Sequence, residues 1–185
     1  MRKLIMEMNI SLDGCADHEV ALADDELHDF AARQLDGVDL LLFGRVTYEL
    51  MEGYWPHARD DPQATRSMKA FADRYNALPK VVFSRTLGKV EGQKTRLIMD
   101  HVFEEVVKLR QLPGKNMALG GISTCREFMR RGLIDEYLLL VQPVIWGKGP
   151  RLFEGLEDRI RLNLIETRTF GSGVVVLRYR PSNPA

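Results

Sequence analysis

Two segments of the chain place glycine where an apolar run hands over to a helix: Gly44-Arg45-Val46-Thr47 and Gly120-Gly121-Ile122-Ser123-Thr124. A helix start presents N–H groups without an intrahelical partner, together with the positive end of the helix dipole. Glycine permits close backbone approach, hydroxyls add donors, and Arg45 offers a charge-assisted contact, so each start suits a phosphate. Two such starts on one sheet edge would suit a pyrophosphate. The competing use of these glycines is ordinary turn and cap geometry. Neither segment matches GxGxxG or GxxxxGK[ST], so the usual dinucleotide and nucleoside-triphosphate fingerprints are absent. His18, His28, His57 and His101 lack metal-ligand spacing, and no HxE or PCxxC pattern occurs, so no metal site is expected.

The elements that must position these groups can be read from periodicity. Leu4, Met6, Met8, Ile10 and Leu12 alternate with Glu7, Asn9 and Ser11, the period of a strand, and Asp13-Gly14 stops it. Asp24 or Asp25 can cap a helix with Leu27, Phe30, Ala31 and Leu35 on its inner face, ended at Asp36-Gly37. Val38–Phe43 reads as a strand covered on both faces, and Gly44–Thr47 leads into a helix over Tyr48–Met51. Gly53–Ala64 reads as an exposed loop. Met68, Phe71, Tyr75 and Leu78 form a helical stripe broken at Pro79, and Val81–Phe83 forms the next buried strand.

Leu87–Lys94 is polar, and Thr95–Met99 reads as a short strand. His101–Leu112 is an amphipathic helix with Val102, Val106 and Leu109 beside Phe103 and Val107, stopped by Pro113-Gly114. Met117–Leu119 is a strand before Gly120-Gly121. The helix after it carries Ile122, Cys125, Phe128 and Met129. Tyr137–Ile145 is the strongest β segment. Trp146–Asp158 is a Gly-rich connection with a turn of helix opened by Pro150. Leu162–Phe170 and Val174–Tyr179 form a hairpin through Gly171-Ser172-Gly173, and the tail Pro181–Ala185 is expected to fray. Such alternation predicts a three-layer α/β domain over 1–185. Its mostly parallel twisted sheet carries helices on both faces and ends in an antiparallel hairpin. Ligands of such sheets bind beyond the carboxyl ends of the strands.

Several motifs occur in a recognisable order: Ser11-Leu12-Asp13-Gly14, Gly44-Arg45-Val46-Thr47-Tyr48-Glu49, Ser84-Arg85, Gly120-Gly121 and Gln142-Pro143-Val144-Ile145-Trp146-Gly147-Lys148-Gly149, then the closing hairpin. Over roughly residues 2–180 the chain resembles the dihydrofolate reductase-like superfamily. Within it, the chain is similar to the reductase domain of riboflavin biosynthesis and its stand-alone bacterial relatives. The resemblance implies NADPH binding by Gly44, Arg45, Val46, Thr47, Gly120, Gly121 and Ile122, with Ser84 and Arg85 near the adenosine 2′-phosphate. It implies hydride transfer to a small heterocyclic or carbonyl/imine substrate, the cofactor carrying the hard step, and it favours a homodimer.

By the same resemblance, an acid near the first helix supplies the proton. Asp24, Asp25 and Glu26 lie there, with Asp25 the catalytic candidate and helix capping its alternative. Asp13, in the turn facing the expected cleft, is the second candidate, with a turn aspartate bonding its own backbone as the alternative. Tyr48 and Trp55 are candidate substrate contacts, since aromatic rings stack on flat heterocycles; a hydrophobic plug under a loop is the other use of Trp55.

Twenty-six Lys and Arg balance 26 Asp and Glu among 185 residues, which excludes the basic excess typical of nucleic-acid binders. The longest strongly apolar run, Leu138–Val141, is far short of the ~20 residues that span a bilayer. Glu7 and Asn9 interrupt any signal-like apolar start. Cys15 and Cys125 stand too far apart for a disulfide framework or a CxxC site, so a cytoplasmic setting is expected. Two other function classes remain open: a non-catalytic nucleotide-binding or regulatory module, and a structural role resting on the apolar Tyr137–Ile145 segment.

Overall fold

The computed structural model describes residues 1–92 and 94–182. Its elements are β1 (Leu4–Ser11), a 3-10 turn (His18–Val20), α1 (Asp25–Asp36), β2 (Val38–Gly44), α2 (Arg45–Glu52), α3 (Arg66–Ala77) and β3 (Lys80–Phe83). There follow β4 (Thr95–Ile98), α4 (Val102–Gln111), β5 (Asn116–Gly120), α5 (Ile122–Arg130), β6 (Glu136–Gln142), β7 (Leu162–Thr169) and β8 (Val175–Pro181). The strands follow the order β4-β3-β2-β5-β1-β6-β8-β7 in one eight-stranded sheet. The pairs β1/β6, β2/β3 and β3/β4 are parallel, while β6/β8 and β7/β8 are antiparallel. The chain divides into two compact units: Met1–Arg2 with Ala23–Ala118, and Lys3–Leu22 with the chain from Leu119 on.

The first unit is organised by β2, β3 and β4. β2 is almost wholly apolar and buried along nearly its whole length, as a parallel strand covered on both faces must be. Leu41, Phe43, Tyr48, Phe71, Tyr75 and Val82 form the core beneath it, with Ala32 and Leu35 from α1. The Asp24 side chain accepts a hydrogen bond from the Leu27 N–H at 2.8 Å and so starts α1. Thr65 caps α3 in the same way. Lys80 is buried in this core, with its Nζ 4.3 Å from the Tyr75 ring centroid and 3.7 Å from Glu52. Tyr75 in turn donates to Glu52 at 2.7 Å. Burial lowers the Lys80 ammonium, while Glu52 partly restores it.

The second unit is organised by β1 and β6, with the closing hairpin antiparallel to them. Met6, Leu138, Leu140, Phe128, Met129 and Val176 are buried here. β7 lies at the end of the sheet order and is exposed at every position after Leu162. A bulge at Ile165 interrupts its register with β8.

Several boundaries differ from those read in the sequence. α2 begins at Arg45, three residues before the Tyr48 start read in the sequence, because Gly44 already serves as its N-cap. Gly53–Ala64 is a series of turns with Ala58 fully buried and Ala64 buried, so only part of it is solvent-facing. On α1, Ala32 is buried and Ala31 only partly so. α4 buries only Val106. Its first residue follows His101, which sits in the left-handed region at φ 53°. β6 stops at Gln142, since Pro143 has no N–H to continue the ladder, and Ile145 is exposed. The Trp146–Asp158 connection holds turns and no helix, and is tied down where Arg151 bridges Cys15. The hairpin strands end at Thr169 and Pro181, and of the tail expected to fray, 183–185 lies outside the described residues.

Candidate functional site

In the first unit, Gly44 closes β2 and is the N-cap of α2, with φ −76° and ψ 166° and no side-chain hydrogen bond at the cap. The first N–H groups of α2 are therefore offered without a side-chain acceptor. Arg45 extends from this start and pairs with Glu49 one turn on, at 2.9 Å. Tyr48 lies beneath it: its ring is buried, and its hydroxyl accepts from the Glu91 N–H at 2.8 Å and donates to the Glu91 carbonyl at 3.3 Å. Tyr48 thus fastens α2 to the chain before β4. Desolvation raises its phenol, with the Glu91 backbone opposing that rise.

Ser84 and Arg85 follow β3 in the same unit. Ser84 Oγ accepts from the N–H groups of Thr86 and Leu87 at 3.1 and 3.0 Å, an ST-type turn that fixes the segment. The Arg85 side chain is 80% exposed, with its Nε 3.3 Å from Asp100. So exposed a pair is weakly held, and the guanidinium is available to a stronger anion.

Trp55 packs against Phe71 with centroids 4.4 Å apart, against Tyr54 at 5.1 Å and edge-on to His28 at 5.9 Å. It remains partly exposed within this aromatic group. Burial lowers the neighbouring His28 imidazolium, against the opposing pull of Asp24, Asp25 and Asp29. Asp25 accepts from the hydroxyls of Ser67 and Thr65, each at 2.5 Å, and these bonds hold its carboxyl below the usual range. It joins α1 to the start of α3 as an ionised acceptor.

In the second unit, Gly121 is the N-cap of α5 at φ 105° and ψ 130°, a conformation reserved in practice for glycine, again with no side-chain cap. Gly120 closes β5, and Ile122 is the first residue of the helix. Asp13 lies in the turn after β1. Its carboxylate accepts from the Ser11 hydroxyl at 2.6 Å, from the Trp146 N–H at 2.9 Å and from the Gly147 N–H at 3.0 Å. These three donors hold it far below the ordinary carboxylate range. Asp13 clamps the Trp146–Gly147 turn and, so bound, is an acceptor and no proton donor.

Two residues of β1 that the sequence reading treated only as the polar side of a strand carry more chemistry than that. Leu4 to Met6 and Ile10 to Ser11 are buried, whereas Glu7, Met8 and Asn9 are partly exposed, so the middle of the strand is open. The Glu7 carboxyl is pushed up to about 7, because burial disfavours its charge more than Arg178 favours it. Asn9 Oδ1 accepts from Gln142 Nε2 at 2.8 Å, and Gln142 Oε1 accepts from the Leu22 N–H at 2.9 Å. The only sequence signal was a glutamate within an apolar strand. Among the described residues, no group of three or more His, Cys, Asp or Glu is placed to hold a metal ion, and no helix is long and apolar enough to cross a membrane.

A mostly parallel sheet, helix starts led by glycine and a closing antiparallel hairpin define an α/β protein of the dihydrofolate reductase-like class. Within that class, the chain belongs to the RibD C-terminal domain family, whose model matches residues 2–176. YyaP, an uncharacterized protein of Bacillus subtilis (strain 168), is 34% identical over 186 residues, covering 96% of this chain and 94% of its own. Among solved structures, a Shewanella sp. PV-4 protein described as a candidate for riboflavin biosynthesis superposes with a TM-score of 0.72 at 21% identity, over 99% of this chain and 100% of that one. Dihydrofolate reductase from Enterococcus faecalis, solved with NADP(H), superposes with a TM-score of 0.64 at 12% identity, over 98% and 97%. Membership places the chain in a family of reductase domains.

Proposed function

We propose that residues 1–185 act as one NADPH-dependent reductase domain that delivers hydride to a small heterocyclic or carbonyl/imine substrate. That substrate would be of the kind used by riboflavin-pathway pyrimidine reductases or dihydrofolate reductase. The observation that carries this reading is the uncapped helix start at Gly44–Arg45, which shares a unit with the exposed cation of Arg85. The reduced nicotinamide of NADPH, when bound, supplies the hydride.

The residues present fit such a group. The N–H groups of Arg45, Val46 and Thr47 lack a side-chain acceptor at the cap, and Gly44 carries no Cβ to block approach. Gly120, Gly121 and Ile122 offer a second start of the same kind in their own unit. Arg85 would exchange its loosely held Asp100 for the doubly charged 2′-phosphate, with the Ser84 hydroxyl beside it as donor. Tyr48 supports this site from beneath, and the partly exposed Trp55 offers a flat surface for a substrate ring. A homodimer in the cytoplasm completes the proposal; symmetric dimers are the commonest oligomers, and Cys15 and Cys125 are free thiols.

Titration with NADPH, followed by tryptophan fluorescence, tests this reading; no saturation at millimolar cofactor would reject it. Arg85→Ala should weaken NADPH about tenfold or more and leave NADH nearly unchanged, an effect in the range of a charge-assisted contact. Equal losses for both cofactors would reject the 2′-phosphate role.

A second reading draws on Asp13 and Asp25, both held as ionised acceptors. If neither donates a proton, a non-catalytic nucleotide-binding module is the alternative. Cofactor binding without turnover across carbonyl, imine and pterin compounds would favour it, and stereospecific hydride transfer would exclude it.

A further inference from the structure

We propose that Glu7 and Asn9 form a substrate-recognising donor pair on β1. In it Glu7 is the general acid that protonates the nitrogen of a cyclic C=N bond, while Asn9 donates to a neighbouring acceptor of the same ring. This rests on the reductase reading above and supplies the proton donor that Asp13 and Asp25 do not.

Four observations converge. Glu7 and Asn9 are two residues apart on one strand, so both project from the same face about 7 Å apart. They are the open stretch of a strand that lies inside the sheet order. No described residue forms a hydrogen bond with the Glu7 carboxyl, and burial keeps that carboxyl protonated up to about 7. Finally, a relay fixes the orientation of Asn9. The Leu22 N–H can only donate, so Gln142 must present its oxygen there and its NH2 to Asn9. Asn9 must then present its oxygen to Gln142, which leaves its own NH2 as the outward donor. An acid O–H beside an amide NH2 recognises a ring with two acceptors, such as an imine nitrogen and a lactam oxygen.

The charged groups around Glu7 are accounted for. On β1, Lys3 bonds Glu136 at 2.7 Å. Glu136 on β6 and Glu166 on β7 share Arg178 of β8, at 3.2 and 3.5 Å. Arg178, shared among these carboxylates, favours the ionised form of Glu7, and burial outweighs it. The 3-10 turn adds His18 and Glu19, both exposed. In the reaction, the ring carbon accepts hydride from the reduced nicotinamide, and the C=N π electrons move to nitrogen. That nitrogen takes the Glu7 proton as a new N–H bond. The nicotinamide is left oxidised, and the Glu7 carboxylate regains a proton from water.

The test uses the full chain without cofactor and 6-methyl-7,8-dihydropterin as the probe. Carbon-13 NMR of the glutamate carboxyls should show one group, absent in Glu7→Gln, titrating near neutrality; a midpoint in the ordinary carboxylate range overturns the proposal. By calorimetry, wild-type affinity for the probe should fall about tenfold per pH unit above that midpoint. In Glu7→Gln it should be flat with pH, and Asn9→Ala should weaken it about tenfold. A wild type that does not bind the probe, or a Glu7→Gln profile like the wild type's, overturns it. NADPH titration is read separately. If NADPH fails to bind while the probe profile holds, the reductase reading falls and the donor pair stands as a binding site. If NADPH binds and the profile is flat, the donor pair alone falls.

Discussion

Asp13 owes its low proton affinity chiefly to the Ser11 hydroxyl and to the backbone N–H groups of Trp146 and Gly147. A carboxyl depressed in the folded state contributes stability that is complete above its unfolded pKa, about 3.9, and is lost as pH falls toward the folded value. Asp13→Asn should therefore lower Tm at neutral pH, and the gap to wild type should close progressively below about pH 4. Thermal unfolding across that range checks this, and a gap independent of pH would refute the clamp. The residue-level site was only partly legible in the chain. Gly44, Arg45, Gly121 and Ser84-Arg85 announce themselves by type and position. Asp13 and Asp25 also stand out, yet what surrounds a carboxylate decides whether it donates or accepts, and those partners lie as much as 134 positions away. Glu7 was hidden for the same reason: a glutamate on an alternating strand looks solvated until the strand is placed inside a sheet.

At the scale of elements, the two glycine-led helix starts differ in a way that separates fold from binding. Gly121 lies at φ 105°, whereas Gly44 lies at φ −76°, open to any residue. Gly121→Ala should cost roughly 1–3 kcal/mol through backbone strain. Gly44→Ala should cost at most about 1 kcal/mol as an N-cap change while its Cβ weakens NADPH. Urea unfolding paired with cofactor titration distinguishes them, and equal stability losses would contradict the assigned backbone geometry. Most elements were legible because their signals are local. The apolar run of β2, the stripe Phe71 and Tyr75 of α3 and the stop at Pro113-Gly114 all lie within a few residues of what they determine. Errors fell where the deciding contact was distant. The connection after β6 was expected to contain a helical turn, but Arg151 is held in a bridge to Cys15 instead. α4 forms as the amphipathic pattern indicates, yet of its apolar residues only Val106 is fully buried, because periodicity reports a face and not what covers it.

For the molecule as a whole, Cys15 is 1% exposed and Cys125 fully buried, and burial pushes the Cys125 thiol far up. Native protein should be nearly inert to an aromatic disulfide reagent and should release two thiols per chain on denaturation. Rapid native labelling would contradict the packing of the second unit. The class of fold could be read from the alternation of elements, since βα alternation ending in a hairpin permits few arrangements. The division into two units had no local signature, because each is assembled from segments far apart in sequence. The outermost strand, β7, has a further consequence. An eight-residue edge with both faces in solvent is a template onto which any extended chain could add. The Ile165 bulge and the charges of Glu166 and Arg168 make that addition costly, so the colloidal stability of concentrated solutions rests on three residues of the outermost strand.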